Sequence, residues 1–117
     1  AHGVHPNMAE KHDPTNRPVL GRGPVIKINA NQSYTSDAYS SSIYKCICKE
    51  ANVDYQEFVN RSDERGGSTI GPISSTHIDI PAVDIGSPIL AMHSIRELGS
   101  VKDHYDIYIT FNTFFEV

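Results

Sequence analysis

A lysine inside an apolar stretch is the first residue whose position suggests chemistry. Residues 25–30 read Val-Ile-Lys-Ile-Asn-Ala, which predicts a short β-strand with Lys27 among apolar neighbours. A buried ammonium group needs a partner or a ligand anion, because its desolvation is costly. Lys27 is therefore a candidate anion-binding residue. A lysine that simply reaches water from the end of a strand fits the same pattern.

Histidines near both ends of the chain are candidate metal ligands. His2 and His5 are three residues apart, a spacing at which two imidazoles can share a face. His93 follows an apolar run and has Arg96 and Glu97 nearby, as a ligand at the end of a strand would. Imidazole is a common ligand of borderline metals. Ordinary loop histidines are the alternative at His2 and His5.

A glycine-rich turn is a candidate anion site. Residues 66–69 read Gly-Gly-Ser-Thr and precede a predicted short helix, whose first N–H groups would favour negative charge. The stretch lacks the lysine and the glycine spacing of a Walker A motif, which argues against nucleotide binding. A purely structural turn is the alternative. Asp63 and Glu64, just before it, are interpreted as solvated loop charges.

The two cysteines have a simple interpretation. Cys46 and Cys48 are the only ones in the sequence, and on a helix residues two apart point to different faces. A disulfide between them is not expected, and no second pair completes a zinc site. Two free thiols in a reducing cytosol are predicted.

Strands and helices alternate along the predicted order. The sequence predicts strands at residues 25–30, 55–60 and 81–85, a long helix capped by Ser36 or Asp37 and ending near Asn52, a short helix capped by Ser68 or Thr69, and a final helix from about Val101. This alternation favours an α/β sheet with crossover connections. Residues 1–24 are rich in proline and glycine and are predicted to form an extended segment.

The two long helices each carry a predicted core-facing stripe. In the first helix, the stripe is Tyr39, Ile43, Ile47 and Ala51. In the last helix, it is Val101, Tyr105, Tyr108, Phe111 and Phe115. Ser100 followed by Asp103 imitates a capping box at the start of the last helix.

Composition limits the class of protein. The 117 residues and 12.9 kDa suffice for one domain at most. A net charge of −4 argues against a nucleic-acid footprint, and no apolar run of about 18 residues is present for a membrane span. The chain opens on Ala1 without an initiator methionine, so a piece of a longer protein is expected.

Five motifs together resemble one family. They are residues 1–7 (Ala-His-Gly-Val-His-Pro-Asn), 10–12 (Glu-Lys-His), 23–32 (Gly-Pro-Val-Ile-Lys-Ile-Asn-Ala-Asn-Gln), 67–72 (Gly-Ser-Thr-Ile-Gly-Pro) and 92–97 (Met-His-Ser-Ile-Arg-Glu). In this order they resemble the aspartyl aminopeptidases, which are cytosolic two-metal exopeptidases. The resemblance covers the whole chain and implies a hydrolase that removes N-terminal Asp or Glu from peptides.

The resemblance implies roles for particular side chains. It implies that His93 is a metal ligand. It also implies a substrate-binding set, with the last two as weaker candidates: His2, Lys27, Tyr34, Ser68 and Thr69. The implied cofactor is zinc, as two divalent ions in the complete enzyme, with manganese or cobalt possible.

The resemblance also implies what this segment lacks. The other metal ligands and the general-base glutamate of the family lie N-terminal to it, with one ligand aspartate two residues before Ala1. We therefore expect residues 1–117 to be the C-terminal portion of a catalytic domain with a partial three-layer zinc-exopeptidase-like sheet. Within it, residues 1–24 would be an extended active-site segment and residues 25–117 β/α units. One imidazole cannot hold a catalytic zinc, so the isolated chain is expected to be inactive.

Partners and alternatives follow from the same reasoning. The resemblance implies a cytoplasmic homo-oligomer that acts on peptides with an acidic N-terminus and needs the N-terminal part of the same protein; no nucleic-acid or membrane partner is expected. The alternative is a non-catalytic α/β module for binding or assembly, whose exposed sheet edges would favour association. A third interpretation is an independent metal-binding domain in which His2, His5 and another ligand converge.

Overall fold

This computed structural model describes residues 1–29, 33–59 and 67–116. These residues contain three α-helices and two small β-sheets. The elements are β1 (Val25–Ile28), α1 (Ala38–Glu50), β2 (Gln56–Val59), α2 (Gly71–Ser75), β3 (Ile85–Gly86), β4 (Ile89–Leu90), β5 (Leu98–Gly99) and α3 (Val101–Glu116), with a short 3₁₀ helix at Ala9–Lys11. The predicted α/β class is confirmed. In the described ranges, no helix is long and apolar enough to cross a membrane.

The central strand β1 has a neighbour on each side. It pairs in parallel with β2, where Val25 lies opposite Gln56, and antiparallel with β3, where Val25 lies opposite Gly86. Helix α1 is the crossover between the two parallel strands, as the predicted β-α-β order requires. Because β1 is flanked on both sides, Val25 and Ile26 are fully buried.

The strand bounds differ from the predicted ones mainly at β3. The predicted strand at residues 81–85 was wrong for most of its length, because the chain enters the sheet only at Ile85. Residues 81–84 lie outside the strands, and the Asp84 carboxylate hydrogen bonds to the loop that follows β1. The β4–β5 hairpin was not predicted, since two residues per strand show no alternation. The predicted ends at Ala30 and Asn60 lie outside the described residues.

Helix α1 begins with the predicted cap. The Asp37 carboxylate accepts a hydrogen bond from the Ser40 backbone N–H at 2.7 Å, and the Asp37 N–H donates to the Ser40 hydroxyl at 3.1 Å. This reciprocal pair is a capping box, which satisfies N–H groups that have no partner within the helix. Asp37 therefore starts the helix where the sequence indicated.

The buried face of α1 is not the predicted one. Tyr39 and Ile43 are 64% and 40% exposed, whereas Tyr44 and Cys48 are buried against Ile26 of β1. The polar tip of Tyr44 is satisfied by the Thr110 hydroxyl at 3.0 Å, so the tyrosine can lie inside without an orphaned group. The sheet and α3 thus select a face about one residue away from the apolar stripe.

The cysteines behave as predicted. Cys46 is exposed, Cys48 is buried, and both are free thiols. Burial raises the pKa of Cys48 to about 11, with the nearby Asp106 carboxylate acting in the same direction. The buried thiol therefore stays protonated and unreactive at neutral pH.

Helix α3 buries polar groups and exposes its aromatic stripe. The predicted core-facing set is exposed in these described residues: Val101, Tyr105, Tyr108, Phe111 and Phe115. Asp103 and Thr110 are fully buried instead. The Asp103 carboxylate accepts hydrogen bonds from the backbone N–H groups of Gly21 and Gly23 at 2.7 and 2.8 Å. The residue assigned to a capping box therefore anchors the loop before β1.

Helix α2 starts differently from the prediction. Its N-cap position is Ile70, which makes no side-chain capping bond. Thr69 is close to the predicted role, because its hydroxyl accepts a hydrogen bond from the Gly71 N–H at 3.3 Å. The Ser68 hydroxyl instead donates to the Ser33 carbonyl at 2.9 Å.

Candidate active-site cleft

One cleft brings together the predicted metal ligand and the predicted substrate-binding residues. Its cavity has a volume of about 440 Å³ and lies between the first residues of the chain, the end of β1, residues 67–69 and the segment after β4. The predicted site residues that line it are His2, Lys27, Tyr34, Ser68, Thr69 and His93. Residues far apart in sequence thus converge at one place, although convergence alone assigns no role to any of them.

His2 is held beside β4 by the main chain. The Ile89 N–H donates to the Ala1 carbonyl at 2.9 Å, and the Gly3 N–H donates to the Ile89 carbonyl at 2.7 Å. A side chain at Gly3 would come within 2.5 Å of Leu20, so the chain passes closely here. Desolvation lowers the pKa of His2, and neighbouring positive charges lower it further. The imidazole is therefore neutral at neutral pH and available for hydrogen bonding.

Lys27 and Tyr34 lie side by side in the cleft. The Lys27 Nζ atom lies 5.7 Å from the centroid of the Tyr34 ring, within the range of a cation–π contact. Tyr34 is buried in a cluster with Val25 and Phe58, so the ring is a fixed surface for the lysine. A Cβ at Gly86 would make ordinary van der Waals contact with Lys27 Cε at 3.6 Å and would crowd the Ala1 nitrogen at 3.2 Å. Lys27 is therefore partly buried, and its ammonium group lies in the cleft beside the Tyr34 ring.

Ser68 and Thr69 form the wall of the cleft next to residues 33–35. Both bond to the carbonyl of Ser33, through the Ser68 hydroxyl at 2.9 Å and the Thr69 N–H at 3.3 Å. The Thr69 hydroxyl donates to the Asp84 carboxylate at 2.9 Å. These two hydroxyls therefore have structural partners. Three other residues of the predicted turn region, Asp63, Glu64 and Gly66, lie outside the described residues.

His93 sits in a tight turn between β4 and β5. Its φ is 70°, in the left-handed region that non-glycine residues rarely adopt, and its N–H donates to the Glu97 carboxylate. Such strained positions recur at functional sites. The side chain is exposed and lines the cleft, so the imidazole is accessible to a metal ion.

The described residues do not by themselves form a metal site. Within them, no three His, Cys, Asp or Glu side chains are grouped so that they could hold a metal ion. His5 accepts a hydrogen bond from the Asn7 N–H at its Nδ1 atom, at 3.1 Å, so it serves its own loop. His93 fits a zinc ligand by its chemistry, and further ligands would have to come from outside the described residues.

His12 and Phe58 also line the cleft, and the sequence analysis assigned neither of them a role. His12 is buried, and its ring stands edge-on to Phe58 at 6.1 Å between centroids. Phe58 is also 6.5 Å from the ring of His2, so it packs between the two histidines. Desolvation lowers the pKa of His12 and keeps it neutral. The Glu-Lys-His motif was the only signal for His12, and Phe58 had none beyond its place in a strand.

The family of the chain follows from comparison with known proteins. The cleft combines an exposed imidazole in the β4–β5 turn with a lysine on the central strand of the other sheet, an arrangement compatible with a metal-dependent hydrolase. The family model described as Aminopeptidase I zinc metalloprotease (M18) matches residues 1–115, and the chain belongs to this family.

Curated relatives and solved structures agree on this family. The chain is 66% identical over 117 residues to a probable M18 family aminopeptidase 2 of Clostridium novyi (strain NT), covering 100% of this chain and 27% of that protein. It is 50% identical over 103 residues to a protein of the same name from Pseudomonas aeruginosa (strain UCBPP-PA14), covering 88% of this chain and 24% of that protein. The chain therefore spans about a quarter of the length of these relatives.

Solved structures show the same fold. A cryo-EM structure of the Ape4 and Nbr1 complex superposes with a TM-score of 0.96 at 40% identity, covering 99% of this chain and 22% of that one. A crystal structure of prApe1 superposes with a TM-score of 0.94 at 27% identity, covering 99% of this chain and 24% of that one. The described elements therefore belong to the M18 aminopeptidase fold.

Proposed function

We propose that this chain is the C-terminal portion of the catalytic domain of a zinc aminopeptidase that removes N-terminal acidic residues from peptides. The observation that carries the proposal is Lys27, whose ammonium group shares one cleft with His93. A cation close to a metal ligand can bind the side-chain carboxylate of a substrate whose scissile bond lies at the metal.

The cleft provides the parts of an acidic-residue pocket. Lys27 supplies a compact positive charge, and the ring of Tyr34 beside it limits where a carboxylate can approach. His2, whose pKa is lowered, adds a neutral imidazole that can donate or accept a hydrogen bond. Ser68 and Thr69 close the wall and act on substrate more weakly, because their hydroxyls already have partners.

Zinc fits the chemistry of this site. We infer that His93 is the zinc ligand that this chain contributes to a site of two ions, which manganese or cobalt could also occupy. Bound zinc supplies a Lewis acid that polarises a carbonyl and lowers the pKa of bound water. The remaining ligands and the general-base glutamate would come from the N-terminal part of the same protein, so the isolated chain would be inactive.

The surroundings of the enzyme are part of the same proposal. Residues 1–24 act as its active-site segment and residues 25–117 as its β/α units. We infer a homo-oligomer in the cytoplasm, without nucleic-acid or membrane partners. The exposed aromatic side chains of α3 support the homo-oligomer, because such a surface is typically covered by further protein. The net charge of −4 is compatible with the absence of a nucleic-acid partner, and the two free thiols are compatible with the cytoplasm.

A non-catalytic assembly module is the second candidate. The same exposed α3 stripe favours it, because a run of aromatic side chains on one helix is typical of a surface that another chain covers. Under this alternative Lys27 and His93 would share a cleft without acting on a substrate.

A substrate panel on the full-length protein tests the proposed function. With zinc present, we expect N-terminal Asp and Glu to be released with kcat/KM at least about a hundredfold above that for Asn, since Asn has the shape of Asp without its charge. The isolated 117-residue chain should release nothing. Equal rates for Asp and Asn would contradict the acidic specificity, and no release by the full-length protein would favour the assembly module.

A further inference from the structure

An aspartate behind the cleft joins the segments that carry the substrate-binding residues. Asp84 immediately precedes β3 and is half-buried. A single oxygen of its carboxylate, Oδ2, accepts three hydrogen bonds: from the Thr35 N–H at 2.7 Å, the Thr35 hydroxyl at 3.0 Å and the Thr69 hydroxyl at 2.9 Å. Asp84 is not among the residues that line the cleft, so it acts from behind.

The main chain of Asp84 adds to the same junction. Its carbonyl accepts a hydrogen bond from the Lys27 N–H at 2.9 Å. Its N–H donates to the Ser36 hydroxyl at 2.8 Å. Asp84 therefore holds β1 at Lys27 and the loop after β1 at two further points.

Except for the bond to Ser36, each of these bonds ends on a cleft residue or directly beside one. Thr35 follows Tyr34, Thr69 follows Ser68, and Lys27 is bonded itself. Four of the five candidate substrate-binding residues are thus fixed through Asp84. Only His2 is held separately, beside β4.

The packing around the carboxylate leaves little freedom. A Cβ atom at Gly71 would lie 2.8 Å from Asp84 Oδ2 and 2.9 Å from Thr35 Cγ2, distances at which atoms must shift. The glycine of the Gly-Ser-Thr-Ile-Gly-Pro motif therefore makes room for this junction. Hydrogen bonds to a carboxylate are stronger than those between neutral groups. Three donors on one oxygen therefore hold Thr35 and Thr69 firmly in place against Asp84.

We propose that Asp84 is a positioning residue that sets the preference for acidic residues by fixing Lys27, Tyr34 and the Ser68–Thr69 wall relative to each other. The inference rests on the proposed function, because it concerns the same pocket. Without the carboxylate, the wall is held to the loop after β1 only by the bonds of Ser68 and Thr69 to the Ser33 carbonyl, while the Lys27 N–H keeps its bond to the Asp84 carbonyl. The wall and the loop then shift relative to Lys27, and the cation no longer meets a substrate carboxylate in one geometry. Zinc binding at His93 is unaffected, since His93 lies on the β4–β5 turn.

Two hydroxamates distinguish positioning from a general structural role. In the zinc-loaded full-length enzyme, the inhibition constants of L-aspartate hydroxamate and L-alanine hydroxamate are compared, because both carry a metal-binding group and only one carries the side-chain carboxylate. For Asp84→Ala we expect the preference for the aspartate compound to fall about tenfold or more, with zinc content unchanged. Asp84→Asn, which keeps the shape, should lose less.

Matched variants keep the test decisive. Asp79→Asn alters an exposed aspartate on the same α2–β3 connection and should leave the preference as in the wild type. Thr35→Val removes the hydroxyl that donates to Asp84 and keeps the backbone N–H bond, so it should fold even if Asp84→Ala fails to fold. It should shift the preference in the same direction by a smaller factor. A preference retained within about twofold in the Asp84 and Thr35 variants overturns the inference alone. A wild type without any preference overturns the proposed function together with it.

Discussion

Lys27→Met in the full-length enzyme is expected to lower kcat/KM for peptides with N-terminal Asp by about two orders of magnitude or more. Truncating one partner of a buried charge pair costs roughly 2–5 kcal/mol, and each 1.36 kcal/mol is about a tenfold change in rate. Methionine keeps most of the stem that packs beside the Tyr34 ring and removes only the charge. The measurement is kcat/KM for Asp and Ala substrates on the same preparation.

The effect must be specific to the acidic substrate. Rates for Ala substrates should change by less than about threefold, because an Ala side chain has no carboxylate to meet the ammonium group. Lys49→Met is the matched control, since Lys49 is exposed on α1 and does not line the cleft. Equal losses on Asp and Ala substrates would mean that Lys27 supports the structure and not the specificity.

His93→Asn in the full-length enzyme is expected to reduce bound zinc from about two ions to about one per chain and to abolish peptide hydrolysis. Asn is the matched replacement because, like the native residue at φ 70°, it tolerates the left-handed region, so the turn is kept while the imidazole is lost. A zinc ion that loses one of its few protein ligands is bound far more weakly. Metal content per chain, measured by elemental mass spectrometry after dialysis, reports this directly.

A second histidine provides the control for metal loss. His104 is exposed on α3 and does not line the cleft, so His104→Asn should keep both the zinc content and the rate. A His93→Asn protein that retains all its zinc would show that the metal site is built without this residue.

Local signals predicted the start of α1, strand β1 and the crossover between β1 and β2. The cap at Asp37, the apolar run of β1 and the β-α-β order each depend on neighbouring residues, and all three occur in the structure. Strand β3 was placed too early: Asp84 contacts β1 only through its carbonyl, and its carboxylate bonds instead to Thr35, which lies 49 residues earlier. No short window of sequence contains that information.

The faces of the helices could not be predicted from amphipathic spacing. Spacing shows which side of a helix is apolar, and it does not show which partner covers that side. Asp103 is buried because Gly21 and Gly23 donate to it, and Tyr44 because Thr110 meets its hydroxyl, across 82, 80 and 66 residues of sequence. The aromatic stripe of α3 stays exposed within the described residues, which fits a chain that spans about a quarter of its relatives.

The site was predictable only through motif resemblance. Lys27 and His93 have weak individual signals, and the resemblance selected them as members of one pocket. The structure brings them to one cleft, although the roles of both remain predictions. Asp84 was missed because its importance lies in three hydrogen bonds to distant segments and not in its own surroundings along the chain.

A crystal structure of the full-length protein with zinc and L-aspartate tests the central claim most directly. The account predicts the His93 imidazole at about 2.0–2.1 Å from a zinc ion and the side-chain carboxylate of the aspartate at about 2.7–2.9 Å from Lys27 Nζ. An aspartate whose side chain binds away from Lys27, or a zinc site that does not include His93, would contradict it.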